Sequence, residues 1–107
     1  MPHYLIQAAY TPEAWATLVK NPQDRIKAIT PAVERLGGKV HEGYLAFGEY
    51  DVIVICEFPD NVSAAAFSAS VAGAGSVKAF KTTPLITTAD SVKAMKKAGT
   101  STYEPPG

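Results

Sequence analysis

Cysteine is scarce in this sequence, and its scarcity excludes two kinds of site. The 107 residues contain one cysteine, Cys56, so neither an intramolecular disulfide nor a zinc site built from several cysteines is possible. No apolar run approaches the roughly 20 residues that a membrane helix needs. No basic residue precedes the first apolar stretch, as a secretory leader would require. We therefore expect a cytoplasmic protein without a membrane segment.

An excess of positive charge is also missing. Lysine and arginine number 10, and aspartate and glutamate number 10, whereas nucleic-acid-binding domains usually carry a basic excess. We therefore expect no nucleic-acid partner. Hydrophobic residues make up 47% of the chain and charged residues 19%, which is typical of a folded domain. The length predicts a single domain over residues 1–99 and a flexible tail over residues 100–107.

The first third of the chain predicts a strand followed by helical structure. Residues 3–10 form the predicted strand, and Thr11-Pro12 is a helix start signal. Asn21-Pro22 repeats this signal, and Thr30-Pro31 predicts a kink in the helix that follows. The apolar stripe of that helix consists of Ile26, Ile29, Val33 and Leu36. The helix is predicted to end at Gly37-Gly38.

The middle of the chain predicts a hairpin. Residues 39–47 and 50–58 are the strands, and Gly48-Glu49 favours a type II′ turn, in which the glycine has positive φ. This turn fixes which residues pair across the two strands. The predicted pairs are Leu45–Val52, Tyr44–Ile53, Gly43–Val54, Glu42–Ile55, His41–Cys56 and Val40–Glu57.

The last part of the chain predicts a helix, a fourth strand and a short C-terminal helix. Asp60 or Asn61 caps an alanine-rich helix, and residues 76–86 predict an edge strand. A short helix begins at Thr87 or Thr88. The order βαββαβ with a short extra C-terminal helix predicts an α+β, ferredoxin-like fold.

The predicted register leaves one face of the sheet without helices. Leu5, Ile53 and Ile55 lie on that uncovered face, and exposed apolar patches of this kind usually mark an interface. We therefore expect a homodimer, in which two such faces pair into a dimeric α+β barrel with a partly polar interior. Val40, Glu42, Tyr44, Asp51 and Glu57 are further members of the uncovered face, whereas His41 and Cys56 fall on the helix face.

A pocket, if present, lies on the same uncovered face. Side-chain alternation places His3, Gln7, Tyr44 and Asp51 there, with Ile53 as an apolar wall. We predict Gln7, Tyr44, Asp51 and Ile53 as ligand-binding residues. No catalytic residue is established, and His3 and Asp51 are the candidates for acid–base chemistry.

No cofactor or metal is expected from the sequence motifs. A metal site would require His3 to converge with carboxylates such as Glu57 or Asp51, and no histidine motif predicts this. Cys56 lies in a predicted buried strand and on its helix face, so we expect an inert core thiol.

The segment Leu45–Ile55 resembles the signature of the GYD domain family, whose glycine, tyrosine and aspartate correspond to Gly48, Tyr50 and Asp51. Two flanking segments also fit: Leu36-Gly37-Gly38-Lys39 and Phe58-Pro59-Asp60. The resemblance covers residues 3–98 and implies a ferredoxin-like fold of the dimeric α+β barrel type. It implies no general activity, so no catalytic role transfers. Asp51 has two possible roles, in backbone hydrogen bonds near the turn or in ligand contact.

Three functions are compatible with the sequence. The first is a dimer that binds a small molecule in the cavity between its paired sheets. The second is a cofactor-free enzyme similar to small monooxygenases or isomerases, which is an analogy at the level of the fold. The third is a non-catalytic assembly module whose sheet–sheet interface has no cavity.

Overall fold

The computed structural model describes residues 1–107 and contains four strands and four helices. The strands form one antiparallel sheet. In chain order the elements are β1 (His3–Tyr10), α1 (Pro12–Lys20), α2 (Arg25–Arg35), β2 (Lys39–Leu45), β3 (Val52–Glu57), α3 (Asn61–Gly73), β4 (Val77–Leu85) and α4 (Thr88–Ala98). The strand order in the sheet is β2-β3-β1-β4. The predicted α+β, ferredoxin-like class with an extra C-terminal helix is confirmed, and the sheet of the single chain is open.

Helix α1 begins where the sequence predicts. The Thr11 hydroxyl accepts the backbone N–H of Ala14 at 3.1 Å, which satisfies one of the free donors at a helix start. Pro12 occupies the first turn, where its missing N–H costs no hydrogen bond.

Helix α2 begins later than predicted and runs through its proline. The Asp24 carboxylate accepts the N–H groups of Ile26 and Lys27, so the cap is Asp24 and not Asn21. Pro31 lies inside the helix without dividing it. The hydroxyl of Thr30 donates to the carbonyl of Ile26 at 2.7 Å.

Alternation along the central strands builds the core. Tyr4 and Ile6 of β1, and Val54 and Cys56 of β3, are buried beneath the helices. Their neighbours in sequence point to the opposite side of the sheet, as the period of a strand requires. The full core consists of Tyr4, Ile6, Tyr10, Val33, Val52, Val54, Cys56, Phe58, Ala64 and Phe67.

The β2–β3 connection spans residues 46–51 and is not a two-residue turn. Among the glycines, positive φ occurs at Gly37 and Gly75 and not at Gly48, so the predicted type II′ turn is wrong. The physical reason lies at Asp51, whose backbone N–H donates to the carbonyl of Ala8 on β1 at 2.8 Å. The backbone N–H of Ala46 still donates to the carbonyl of Asp51 at 2.7 Å, but the last strand pair of the hairpin is Leu45–Val52.

A β-bulge at His41 changes the predicted register at the other end of the hairpin. The pairs from Leu45–Val52 to Glu42–Ile55 are as predicted, but Val40 pairs with Cys56. The predicted pairs Val40–Glu57 and His41–Cys56 are therefore wrong. An extra residue in one strand reverses the alternation beyond it, so Val40 packs against the core. The His41 ring instead meets Glu57 on the uncovered face.

The C-terminal part of the chain contains the second edge strand and an isolated helix. β4 is an edge strand, as predicted. Thr87 caps α4 by accepting the N–H of Asp90 at 3.1 Å, and α4 has no buried residue.

The molecule measures 56 × 35 × 22 Å, with a radius of gyration of 17.0 Å, whereas a compact chain of about 100 residues has a radius near 13 Å. Residues 102–107 contain no helix or strand, and their side chains are exposed.

Candidate functional site

The face of the sheet that no helix covers is called the open face, and its side chains form three rows across the strands. The rows follow from the pairing of β2 with β3, β3 with β1, and β1 with β4. In the order β2, β3, β1 and β4, the rows are Tyr44–Ile53–Gln7–Lys81, Glu42–Ile55–Leu5–Thr83 and Lys39–Glu57–His3–Leu85.

The centre of the open face is apolar. Leu5, Ile53 and Ile55 are partly exposed there, because the helix layer lies on the other side of the sheet. Three of the four predicted ligand-binding residues, Gln7, Ile53 and Tyr44, are neighbours in one row. The structure therefore brings these three side chains together on one face.

Asp51, the fourth predicted ligand-binding residue, is engaged elsewhere. Its Oδ2 accepts the backbone N–H of Tyr10 at 2.8 Å and the indole N–H of Trp15 at 3.2 Å. The carboxylate therefore faces helix α1 and the end of β1, and not the open face. The expectation that it joins the Gln7 row is wrong, because these two donors hold it at the β1–α1 junction.

His3 and Asp51 also fail to converge. His3 pairs with Glu57 at one end of the sheet, whereas Asp51 lies in the connection at the opposite end of β3. The arrangement that motivated acid–base catalysis by these two residues is therefore absent.

The outer edge of the open face carries an acid–phenol pair. The Tyr44 hydroxyl donates to Glu42 Oε2 at 2.8 Å. This hydrogen bond and the neighbouring negative charge raise the pKa of Tyr44 above its ordinary value. The phenol therefore stays protonated near neutral pH and acts as a hydrogen-bond donor.

Two histidines and a carboxylate meet at the end of the open face. His41 Nε2 lies 2.6 Å from Glu57 Oε2, and His3 Nε2 lies 3.8 Å from Glu57 Oε1. The two imidazole rings stack with centroids 5.2 Å apart and an interplanar angle of 14°. The hydrogen bond from His41 holds the pKa of Glu57 below its ordinary value, and the charge of His3 acts in the same direction.

Sequence reasoning missed His41 in this group. It named His3 and Glu57 as potential metal ligands, but strict alternation placed His41 on the helix face. The bulge between Val40 and Glu42 reverses that placement. No turn residue or proline marks the bulge, so the available signal was only the recurrence of histidine near the ends of two strands.

The helix side of the sheet contains an apolar cleft. Its volume is about 370 Å³, and it lies between α1, the start of α2 and strand β2. Trp15, Leu18, Ile26 and Val52 are among its lining residues. The cleft lies close to Asp51, because Trp15 contacts both.

The comparisons with known proteins identify the family. A family model of the GYD domain matches residues 4–95. The chain is 34% identical over 97 residues to the glutamine synthetase and cystathionine beta-lyase binding protein of Thermus thermophilus, which covers 90% of this chain and 100% of the relative. The chain therefore belongs to the GYD domain family.

A comparison with solved structures supports the fold. The crystal structure of FFRP-DM1 superimposes with a TM-score of 0.51 at 20% identity and covers 80% of this chain and 100% of that one. At this level of identity the similarity concerns the fold alone. None of the helices has the length and apolar character to cross a membrane.

Proposed function

We propose that this protein is a non-catalytic binding module that pairs with a second copy of itself through the open face and, as a pair, binds an enzyme. The observation that carries the proposal is the uncovered apolar centre of the sheet, formed by Leu5, Ile53 and Ile55. A monomer leaves these side chains in water, whereas two copies related by a two-fold axis cover them with the same surface.

Burial of the apolar centre alone does not provide enough free energy for stable pairing of two copies. Burying one such side chain completely contributes about 1.5–3 kcal/mol, and these residues are already partly buried. Association costs about 4–15 kcal/mol in lost translational and rotational freedom. Three side chains from each copy are therefore marginal, and further apolar surface must take part.

Helix α4 supplies such a surface. Ile86, Val92 and Met95 are exposed large apolar residues in and before this helix, and α4 has no buried residue. A helix of this kind gains stability from tertiary packing of its apolar side. We propose that α4 packs on the second copy, which adds to the area buried at the open face.

An enzyme partner is supported by a second exposed surface. Leu45 and Phe47 are exposed apolar residues at the β2–β3 connection, and Phe47 is 95% exposed. Aromatic side chains of this kind are common anchors in protein interfaces. The relative from Thermus thermophilus is named for binding glutamine synthetase and cystathionine beta-lyase, so we propose an enzyme of one of these two types as the partner.

The enzyme-binding part of the proposal is tested by titrating the purified protein into each of these two enzymes from its own organism, in a calorimeter. We expect saturable binding to one of them, and we expect Phe47→Ser to weaken it at least tenfold. Val62→Ser is the control, because Val62 is an exposed apolar residue on α3. The absence of binding to both enzymes, or unchanged binding by Phe47→Ser, contradicts the proposal.

A small-molecule ligand is the second candidate function. The row that contains Tyr44, Ile53 and Gln7 joins a phenol, an apolar wall and an amide on the face that would be enclosed by pairing. Pockets that combine apolar walls with a few polar groups are typical of ligand sites. Native mass spectrometry of the purified protein distinguishes the two functions, because a retained small molecule supports this candidate and a bare mass supports the assembly module.

A further inference from the structure

We propose that His3, His41 and Glu57 form a binding site for a borderline divalent transition-metal cation, of which Zn²⁺ is the best match. Two imidazole nitrogens and one carboxylate suit zinc, nickel or copper, whereas magnesium and calcium prefer oxygen ligands. All three ligands belong to one chain, so the site needs no ligand from a second copy or from an enzyme partner.

The distances between the donor atoms fit this class of ion. One ligand atom from each of the three side chains lies within 4.8 Å of the others. Ligand atoms around a tetrahedral zinc, bonded at about 2.0–2.2 Å, stand about 3.4 Å apart. Modest side-chain rotations, which exchange the His41–Glu57 hydrogen bond for bonds to the ion, therefore complete the site.

The backbone holds the three residues in place. His3 and Glu57 are direct register partners on the two central strands, β1 and β3. The bulge in β2 turns His41 from the helix side to the open face. Bulges of this kind frequently re-aim a side chain beside a functional site. The bulge interrupts the regular pairing of the edge strand β2 and places the His41 imidazole beside the Glu57 carboxylate.

The surroundings leave room for exchange. The side chains of His3, His41 and Glu57 are 43%, 32% and 17% exposed, so an ion has access from solvent. A hollow of about 520 Å³ lies beside His3 and is lined by Leu85, Ile86 and Asp90, among others. Three protein ligands with an open fourth position are typical of exchangeable or catalytic zinc rather than of closed structural sites.

The test is a competition titration of Zn²⁺ between the protein and a chromogenic chelator, with protein from which any histidine tag has been removed. We expect one ion per chain. We expect His41→Gln and Glu57→Gln each to lower the affinity by more than about tenfold, a loss that even the outer partners of metal ligands commonly cause. Glu42→Gln is the matched control, because it removes an exposed carboxylate from the same face and strand, and we expect it to bind as the wild type does.

Two further readouts keep the outcome clear. Circular dichroism of each variant must match the wild type, and His3→Gln replaces any variant that does not fold. The Co²⁺-loaded protein should show ligand-field bands without a thiolate charge-transfer band, because Cys56 is buried away from the cluster. A thiolate band, the absence of one-to-one binding, or wild-type affinity in His41→Gln and Glu57→Gln overturns the site.

Discussion

The indole N–H of Trp15 donates to Asp51 Oδ2 at 3.2 Å, and the same oxygen accepts the backbone N–H of Tyr10 at 2.8 Å. One carboxylate therefore joins the end of β1, helix α1 and the β2–β3 connection. Asp51 is the aspartate of the Gly-Tyr-Asp motif. In this structure it has the first of the two roles that the sequence allowed, because its carboxylate accepts a backbone N–H, that of Tyr10, near the connection.

We predict that Asp51→Ala lowers the free energy of unfolding by about 1.5–3 kcal/mol, because it removes hydrogen bonds to a charged group and leaves their donors unpaired. Urea denaturation followed by tryptophan fluorescence measures this loss. Trp15→Phe, followed by circular dichroism, keeps an aromatic ring and the bond to Tyr10, so its loss should be smaller. Wild-type stability in Asp51→Ala would show that the carboxylate has no structural role.

Of two glycines in the β2–β3 hairpin, Gly43 should lose stability on substitution by alanine and Gly48 should not. A Cβ on Gly43 would lie 2.5 Å from Cδ1 and Cγ1 of Ile26, and overpacking of this kind costs about 1–3 kcal/mol. A Cβ on Gly48 meets nothing within 4 Å, and the φ of Gly48 is not positive, so Gly48→Ala should change stability by less than about 0.5 kcal/mol. Thermal melts of both variants make the comparison, and the reverse order of effects would refute the packing described here.

The Cys56 thiol should be unreactive in the native protein. Burial raises its pKa from 9.0 to about 11, so the nucleophilic thiolate is nearly absent at neutral pH. We expect an aromatic disulfide reagent to react at pH 8 only after denaturant is added. Rapid reaction in buffer alone would show that β3 is accessible.

The same shift predicts a loss of stability at alkaline pH. The unfolded chain releases the thiol proton at a lower pH than the folded chain does. The free energy of unfolding is therefore unaffected by this thiol below pH 9 and decreases as the pH rises toward 11. Urea midpoints measured across that range should fall more steeply for the wild type than for Cys56→Ala. Equal slopes would contradict the assigned burial effect.

Most of the fold was predictable because strong local signals agree with one another. The cap at Thr11, the stop at Gly37 and the alternation in β1 and β3 each depend on a few neighbouring residues. The pairing of Leu45 with Val52 was also predicted correctly, although the turn type was not. The register is the predicted one although residues 46–51 form a longer connection, and the Ala46 N–H bond to the Asp51 carbonyl at 2.7 Å joins the two strands beside Leu45 and Val52.

The candidate site was less predictable because it depends on tertiary contacts. Whether Asp51 faces a pocket or a helix is decided by Trp15, which lies in another element. Whether His41 meets Glu57 is decided by a bulge that no residue type announces. Alternation and the predicted hairpin pairing assigned Gln7, Tyr44 and Ile53 correctly to one face, since their part of the ladder is regular.

The claim that the open face pairs two copies is tested most directly by sedimentation equilibrium. We predict that the wild type has twice the chain mass of 11.3 kDa. Ile53→Asp should sediment as a monomer, because pairing would bury an uncompensated charge. Val62→Asp places the same charge on an exposed position of α3 and should remain a dimer. A wild-type mass of one chain, or an undiminished dimer in Ile53→Asp, would contradict the account.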